Sequence, residues 1–302
     1  MHMHTEKKDR TIGFILAIWT GVLWGASSPI AQYLFETKGI DSSWLTPYRL
    51  LASGGLLLAY SAVRKQEILS VWKEKADALR LVIFGIAGMM GMQYSFFAAV
   101  QATDAGTATF FQYLNPAMLI IFYAVRGRKL PESRELVAVI CAVSGIFLIA
   151  THGNLHSLNV SAEGIALGLL TALTTCFYAV LPIPLLGKHP AEAVCAWAML
   201  IGGIALAAVR RPWQMAVAID NAVIVAFLAI VVMGTILPFC FYLSALTKIG
   251  AVYTGLMTSV EPVTATILAA VFLDTAFEMI DVVGFVLVLS TGFILNLGRA
   301  KE

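Results

Sequence analysis

The feature that most limits what this chain can fold into is a succession of apolar stretches separated by short polar connections. The stretches fall at about 11–35, 43–63, 79–100, 105–125, 135–150, 163–186, 191–209, 220–246, 250–272 and 279–297. A helix needs about 20 apolar residues to cross the hydrocarbon of a bilayer, and all of the stretches except 135–150 are close to that length. We therefore predict an all-α integral membrane protein with ten transmembrane helices.

The composition supports the same conclusion. Hydrophobic residues make up 59% of the chain and charged residues 13%, whereas a soluble domain carries about 25% charged residues. A soluble core could not enclose so much apolar surface, so the lipid bilayer is a predicted partner. No basic patch with interleaved aromatic residues is present, so a nucleic-acid partner is not predicted.

The distribution of Lys and Arg predicts how the helices are oriented. Of the 20 Lys and Arg residues, Lys38, Arg210 and Arg211 lie in connections on the side opposite the N-terminus, and Arg49 lies within a span. The others lie at the two termini or in connections on the side of the N-terminus. Because cytoplasmic connections are enriched in Lys and Arg, we predict a multi-pass protein of the cytoplasmic membrane with both termini cytoplasmic.

The chain contains an internal repeat. Shifting the chain so that position 115 meets position 261 places Gly88 on Gly234 and the sequence LNP at 114–116 on VEP at 260–262. We predict one five-helix unit at 11–151 and another at 162–297. Five is odd, so the units have inverted topologies, an arrangement that places a substrate site between them near the membrane midplane. The duplication could also reflect only ancestry and helix packing.

A carboxylate lies near the middle of the ninth apolar stretch. Glu261 is about 16 Å from either end of that stretch, where a charge costs roughly 3 kcal/mol even on lenient scales. Pro262 follows it, as Pro116 follows the repeat-related position. Each proline lacks an N–H and frees the carbonyl four residues earlier, which belongs to Thr258 and Gln112 respectively. These positions are therefore predicted to carry function.

Helical spacing groups the polar residues of this region. Thr254, Thr258 and Glu261 share one helix face, and Gln112 and Asn115 share the related face of the other unit. Exposing such a row to lipid would cost several kcal/mol. The two faces are therefore predicted to bind substrate in a cavity between the units, or to join packed helices through polar contacts.

The two charges inside spans have several possible roles. Glu261 is the candidate coupling group, because a carboxyl group that exchanges a proton at physiological pH would favour different conformations in its two states. Protons are thus a predicted partner. Alternatively, Glu261 pairs with a substrate amine or forms a permanent ion pair. Arg49, a predicted structural or gating charge, could pair with Glu261, contact substrate, or extend outward to the membrane surface.

Aromatic side chains at a similar depth could stack on a flat substrate or surround a cationic amine. Those assigned to substrate binding are Trp24, Tyr94, Tyr178, Trp197 and Tyr242, and Tyr113 lies at the same depth. Each could instead serve helix packing or lipid contact. We expect fewer than half of them to touch substrate.

Four motifs give the chain a resemblance to a known family. They are LWGASS at 23–28, PYRLL at 47–51, LNP at 114–116 and VEP at 260–262. In their order and duplication they resemble the EamA-type branch of the drug/metabolite transporter superfamily, a group of ten-helix carriers, over about residues 11–297. The resemblance implies secondary transport of a small metabolite, commonly export of amino acids or related compounds, through a cavity between the halves.

The predicted function is therefore a secondary active transporter that exports a small amphipathic metabolite by alternating access. A membrane channel or a ligand-sensing membrane receptor is the alternative. The chain has no H-E-x-x-H, G-x-S-x-G or P-loop sequence, so an enzyme is not predicted. We expect neither metal nor cofactor, because the cysteines lie in apolar stretches without metal-ligand spacing; they are Cys141, Cys176, Cys195 and Cys240.

Overall fold

The structure is a computed structural model that describes residues 2–127, 132–151 and 160–299. The α-helices of the first half are α1 (His2–Glu36), α2 (Ser42–Val63), α3 (Lys75–Ile83), α4 (Gly91–Ala102), α5 (Ala105–Gln112), α6 (Asn115–Gly127) and α7 (Ser133–Thr151). Those of the second half are α8 (Ala162–Val180), α9 (Ile183–Leu186), α10 (Ala191–Arg210), α11 (Asn221–Val231), α12 (Leu237–Thr258), α13 (Val260–Leu273) and α14 (Met279–Arg299).

Four shorter helical segments complete the described chain. The π-helical segments Phe84–Met90 and Val232–Ile236 join α3 to α4 and α11 to α12, and 3₁₀ turns lie at Ser70–Trp72 and Pro212–Gln214. No strand occurs among the described residues. The prediction of an all-α protein is thus confirmed.

Six helical stretches are long and apolar enough to cross a membrane. In the described part of the chain they are Asp9–Glu36, Lys75–Ala102, Ser133–Thr151, Ala162–Leu186, Ala191–Arg210 and Asn221–Ile249. Val260–Leu273 and Met279–Ile294 are shorter apolar helices. The second and fourth predicted spans are not among these six stretches. The second, α2, contains Arg49 and several Ser and Gly residues, which lower its hydropathy. The fourth is divided by a turn. Helix α12 also continues through the predicted connection at 247–249.

Side-chain caps fix where several helices begin. Asp41, Asp104, Ser161 and Asp220 each accept a backbone N–H from two or three residues further on, at 2.6, 2.8, 3.0 and 2.8 Å. These caps satisfy N–H groups that have no partner inside the helix, and the three carboxylates also suit the positive end of the helix dipole. They set the starts of α2, α5, α8 and α11 directly before apolar stretches.

Two helix breaks lie at positions that the repeat relates. A turn at 113–114 separates α5 from α6, and the turn residue Ser259 separates α12 from α13. Pro116 and Pro262 follow these turns, and a proline cannot donate to the carbonyl four residues earlier. The two π-helical segments, Phe84–Met90 and Val232–Ile236, also overlap under the same shift. Equivalent positions of the two halves thus interrupt their helices in equivalent ways.

The two halves share a common core. Helix α1 lies along α12 and α13, α8 lies along α4, α2 packs against α10, and α7 packs against α14. One buried cluster combines Leu34 and Phe97 of the first half with Val223 and Ile230 of the second. The halves therefore do not form separate domains.

Helices α2 and α10 each meet the π-helical segment of the opposite half. On the α10 side the contact is made by glycines, since a Cβ atom added to Gly202 would lie 2.7 Å from the carbonyl oxygen of Gly85. On the α2 side the contact is made by Arg49. The two junctions are thus related in position and different in chemistry.

Candidate functional site

Glu261 lies at the start of α13, directly after the break at Ser259. Its side chain is half-buried. The Tyr113 hydroxyl donates a hydrogen bond to Glu261 Oε2 at 3.3 Å. Since Tyr113 lies in the turn between α5 and α6, this contact connects the two helix breaks and the two halves.

The carbonyl oxygen of Thr258 lies beside the same hydroxyl group. It is the carbonyl that Pro262 leaves without its helical N–H, and Tyr113 Oη lies 3.3 Å from it. The sequence predicts that this carbonyl is available, but it does not assign Tyr113 as its partner. A hydrogen bond between residues far apart in the chain has no local sequence signal.

Three further aromatic residues of the predicted site lie close to this pair. The rings of Trp24 and Tyr242 are 5.7 Å apart, and Tyr242 lies near both Tyr113 and Tyr178. All four side chains are half-buried. A group of partly accessible aromatic residues around a carboxylate provides both ring faces and hydroxyl groups for binding a small amphipathic molecule.

Tyr94 and Trp197 contact other parts of the protein. The Tyr94 ring lies under the guanidinium of Arg210 at 4.8 Å, and its hydroxyl is 3.5 Å from Ser43 Oγ. Trp197 donates its indole N–H to the carbonyl oxygen of Ile68 at 2.8 Å. These contacts hold helix ends and a connection in place.

The remaining predicted polar residues lie along the two breaks. Gln112 ends α5, and Asn115 begins α6 and accepts a hydrogen bond from Cys176 Sγ at 3.4 Å through its carbonyl oxygen. Thr254 and Thr258 are buried on α12. The carboxylate is therefore the more accessible part of the row formed by 254, 258 and 261.

Arg49 neither pairs with Glu261 nor extends to the surface. It is 5% exposed, and its guanidinium donates to Thr235 Oγ1 at 2.9 Å, Gln93 Oε1 at 3.1 Å and the Gly234 carbonyl oxygen at 3.2 Å. It also lies 4.6 Å from the centre of the Phe97 ring. Arg49 therefore joins α2 to α4 and to the second π-helical segment, and all of these acceptors are neutral.

Helix α1 approaches the α12–α13 break closely through glycines. A Cβ atom added to Gly25 would lie 2.4 Å from the carbonyl oxygen of Glu261 and 2.7 Å from Thr264 Cβ. A Cβ atom on Gly21 would lie 2.7 Å from the carbonyl oxygen of Thr258. The motif at 23–28 thus brings the backbone of α1 against the backbone that carries Glu261.

A buried carboxylate connects two polar segments of different halves. Asp77 is fully buried, with Oδ2 3.0 Å from Lys188 Nζ and 3.2 Å from His189 Nε2. His189 Nδ1 is in turn 2.9 Å from Ser70 Oγ. Because Lys188 donates to this carboxylate, the pKa of Lys188 is raised above its ordinary value. This cluster, Ser70, Asp77, Lys188 and His189, was not predicted because its members are too far apart in the sequence.

A second ion pair joins the halves at another position. Lys38 Nζ is 2.6 Å from Asp220 Oδ2. The hydrogen bond from Lys38 lowers the pKa of Asp220, and the same bond raises the pKa of Lys38. This pair joins the segment after α1 to the segment before α11.

Two cavities occur near helix ends. One, of about 310 Å³, is lined by residues that include Asp104, Thr107, Phe277 and Asp281. The other, of about 680 Å³, is mostly aromatic and aliphatic and lies beside Trp44. Glu261 lines neither of these cavities.

Comparisons with known proteins support the fold and the family. The sequence profile of the EamA-like transporter family matches residues 11–151 and 162–297. An inner membrane transporter of Salmonella typhimurium named YicL, described as uncharacterized, is 32% identical over 96% of this chain and 97% of its own. The threonine/homoserine exporter RhtA of Escherichia coli K12 is 25% identical over 96% of this chain and 93% of its own.

A solved crystal structure shares the fold, with a TM-score of 0.63 at 17% identity, over 98% of this chain and 99% of that one. The related proteins are named as transporters, and none of those named above is an enzyme. The matched regions cover most of the sequence and carry both helix breaks. This chain is therefore a membrane transporter that belongs to the EamA-like transporter family.

Proposed function

We propose that this protein is a secondary active transporter of the cytoplasmic membrane that exports an amino acid or a related small amphipathic compound. The observation that carries the proposal is the carboxylate of Glu261, placed at a helix break and hydrogen-bonded to the other half by Tyr113. The name of the relative RhtA, a threonine/homoserine exporter, supports the choice of substrate class and direction.

The architecture we propose is ten spans in two inverted repeats, 11–151 and 162–297. Three observations support it: the related helix breaks, the related π-helical segments, and the reciprocal packing of α1 on α12 and of α8 on α4. The excess of Lys and Arg on one side supports cytoplasmic termini.

The length of the helical segment from Asn221 to Thr258 supports a turn between the eighth and ninth spans. At 1.5 Å per residue this segment would be about 57 Å long if straight, which exceeds a bilayer of about 40–45 Å including its head groups. Lys248, within the segment, pairs with Asp9 near the N-terminus at 2.7 Å. A charged contact of this kind belongs at a membrane surface, and the neighbouring α1 residues Thr20 and Gly21 contact Pro238 and Thr258 of α12 respectively. We therefore propose that α12, although helical on both sides of residue 248, bends back near that residue.

The proposed substrate site lies between the two breaks. Glu261 would receive a substrate ammonium group, and the rings of Trp24, Tyr178 and Tyr242 would pack on the remainder of the substrate. Polar groups along the breaks would add hydrogen bonds; they come from Gln112, Asn115, Thr254 and Thr258. We leave Tyr94 and Trp197 out of the site because their polar atoms bond elsewhere; the Trp197 ring packs against the same buried cluster as Trp24 and Tyr178.

The two ionic contacts between halves suit the ends of an alternating-access pathway. By the proposed topology, the cluster around Asp77 is cytoplasmic and the Lys38–Asp220 pair is on the outer side. Each contact would have to break when its side opens. Glu261, between them, would change its protonation as access alternates.

Counterflow in proteoliposomes tests the transport proposal. Vesicles loaded with unlabelled L-threonine should accumulate labelled L-threonine transiently and saturably, because a carrier exchanges one bound substrate for another. A channel would equilibrate the label without overshoot, and a receptor would bind it without flux. Absence of counterflow for threonine, homoserine and other small amino acids would refute the proposed function.

Glu261→Gln tests the coupling role. We expect transport driven by a pH gradient to fall by about tenfold, within the range of ordinary coupling free energies, and to lose its dependence on pH. Glu163→Gln is the matched control, because Glu163 is exposed at the start of α8. If gradient-driven transport and its pH dependence are unchanged in Glu261→Gln, the coupling role is wrong.

A further inference from the structure

The Tyr113 hydroxyl lies between two acceptors at equal distances. Glu261 Oε2 and the carbonyl oxygen of Thr258 are both 3.3 Å from Tyr113 Oη. A phenol has one proton, so it donates to one of these acceptors at a time. Which acceptor it chooses depends on the protonation state of the carboxyl group.

An ionised Glu261 is an acceptor only, and a hydrogen bond from Tyr113 to it is assisted by charge. A protonated Glu261 carries a proton of its own, which it can donate to Tyr113 Oη. The Tyr113 hydroxyl can then donate its hydrogen bond to the carbonyl oxygen of Thr258. The two protonation states therefore favour two different hydrogen-bond patterns with no change in the number of protons on Tyr113.

We propose that Tyr113 is a positioning residue that acts as a hydrogen-bond switch, linking protonation of Glu261 to the geometry of the break between α12 and α13. The Thr258 carbonyl lies at that break, and Pro262 cannot donate to it. Protonation of Glu261 supplies this carbonyl with a donor from the opposite half, and ionisation withdraws that donor. The break is thus biased toward a different geometry in each state.

The surroundings of Glu261 make Tyr113 the natural site of such a switch. Helices α1 and α5 pack against α13. From α1 the facing residues are Gly21 and Gly25, which carry no titratable group. Among the described residues, Tyr113 is the titratable side chain that hydrogen-bonds to Glu261, and Tyr242 of α12 lies near Tyr113.

The position of Tyr113 extends the effect across the molecule. Tyr113 belongs to the break between α5 and α6, which the repeat relates to the break that carries Glu261. A proton on Glu261 therefore changes a contact that connects the two halves. This inference deepens the proposed function and rests on it, because it assumes that Glu261 exchanges protons during transport.

Tyr113→Phe removes the hydroxyl and keeps the ring, and Tyr60→Phe is the matched control because Tyr60 is exposed on α2. In proteoliposomes with labelled L-threonine, we expect the ratio of gradient-driven transport to counterflow to fall by about fivefold in Tyr113→Phe. Its pH profile should flatten. In a Glu261→Gln background the same substitution should have no further effect, because the switch acts through Glu261.

Infrared spectroscopy of purified protein provides a second measurement that requires no transport. The carbonyl stretching band of protonated Glu261, identified by its loss in Glu261→Gln, should move in Tyr113→Phe and stay in place in Tyr60→Phe. An unmoved band together with a normal pH profile would overturn the switch. Absence of counterflow in the wild-type protein would instead overturn the proposed function. The infrared result would still decide whether the hydrogen bond of Tyr113 responds to the protonation of Glu261.

Discussion

Replacing Gly25 by alanine tests the close contact between α1 and the break that carries Glu261. The added Cβ atom would lie 2.4 Å from the carbonyl oxygen of Glu261 and 2.7 Å from Thr264 Cβ, whereas ordinary contact begins at 3.4 Å. One of these neighbours is backbone and cannot rotate away. Overpacking of this kind costs about 1–3 kcal/mol, and we expect a value near the upper end.

The cost can be measured as a change in melting temperature. A loss of about 2–3 kcal/mol corresponds to a decrease of about 5–10 °C for a large domain. The assay is thermal unfolding of purified protein followed by tryptophan fluorescence. Because relief of the steric clash also displaces the backbone at Glu261, we expect counterflow of labelled threonine to be slower in Gly25→Ala.

Gly55→Ala is the matched control. Gly55 is also in a helix, and an added Cβ atom there has nothing within 4 Å. The substitution should be neutral or stabilising, because alanine favours the helix over glycine by about 1 kcal/mol. If Gly25→Ala melts at the same temperature as Gly55→Ala, then α1 has room at this contact and the reasoning is wrong.

Two further substitutions test the junctions between the halves. Asp77→Asn should increase trypsin cleavage in the connection 64–74, because His189, which contacts Ser70 of that connection, loses its carboxylate partner. Glu67→Gln, in an exposed pair, should leave the cleavage rate unchanged, and equal rates in the two variants would contradict this role. Arg49→Lys should lower the melting temperature by about 5–10 °C, because lysine keeps the charge but cannot bond three acceptors in a plane. A melting temperature equal to that of the wild type would show that the three bonds contribute little.

Local rules account for much of what could be predicted. The apolar stretches predict helices because the backbone must satisfy its own hydrogen bonds in lipid. The prolines at 116 and 262 predict freed carbonyls at Gln112 and Thr258, and the structure places turns shortly before both prolines, inside spans that the sequence predicts as continuous. The repeat relates these positions because both units carry the same X-Pro signal.

The partners of the charged groups could not be predicted in the same way. Arg49 contacts Gln93 and Thr235, which belong to different helices. Asp77 reads as a surface residue at the start of a helix, and only the fold brings Lys188 and His189 onto it. Such contacts depend on the three-dimensional packing of residues that are 44 to 186 positions apart in the chain.

The different chemistry of the two π-segment junctions has a mechanical consequence. Two directional bonds from one guanidinium, to Thr235 and to the Gly234 carbonyl oxygen, fasten α2 to the opposite half and resist shear. The corresponding contact of α10, between Gly85 and Gly202, is held by dispersion forces and can slide without breaking a bond. When the two halves move relative to each other, we therefore expect the two related junctions to behave differently. The junction at Arg49 should stay in place, and the junction between Gly85 and Gly202 should slide.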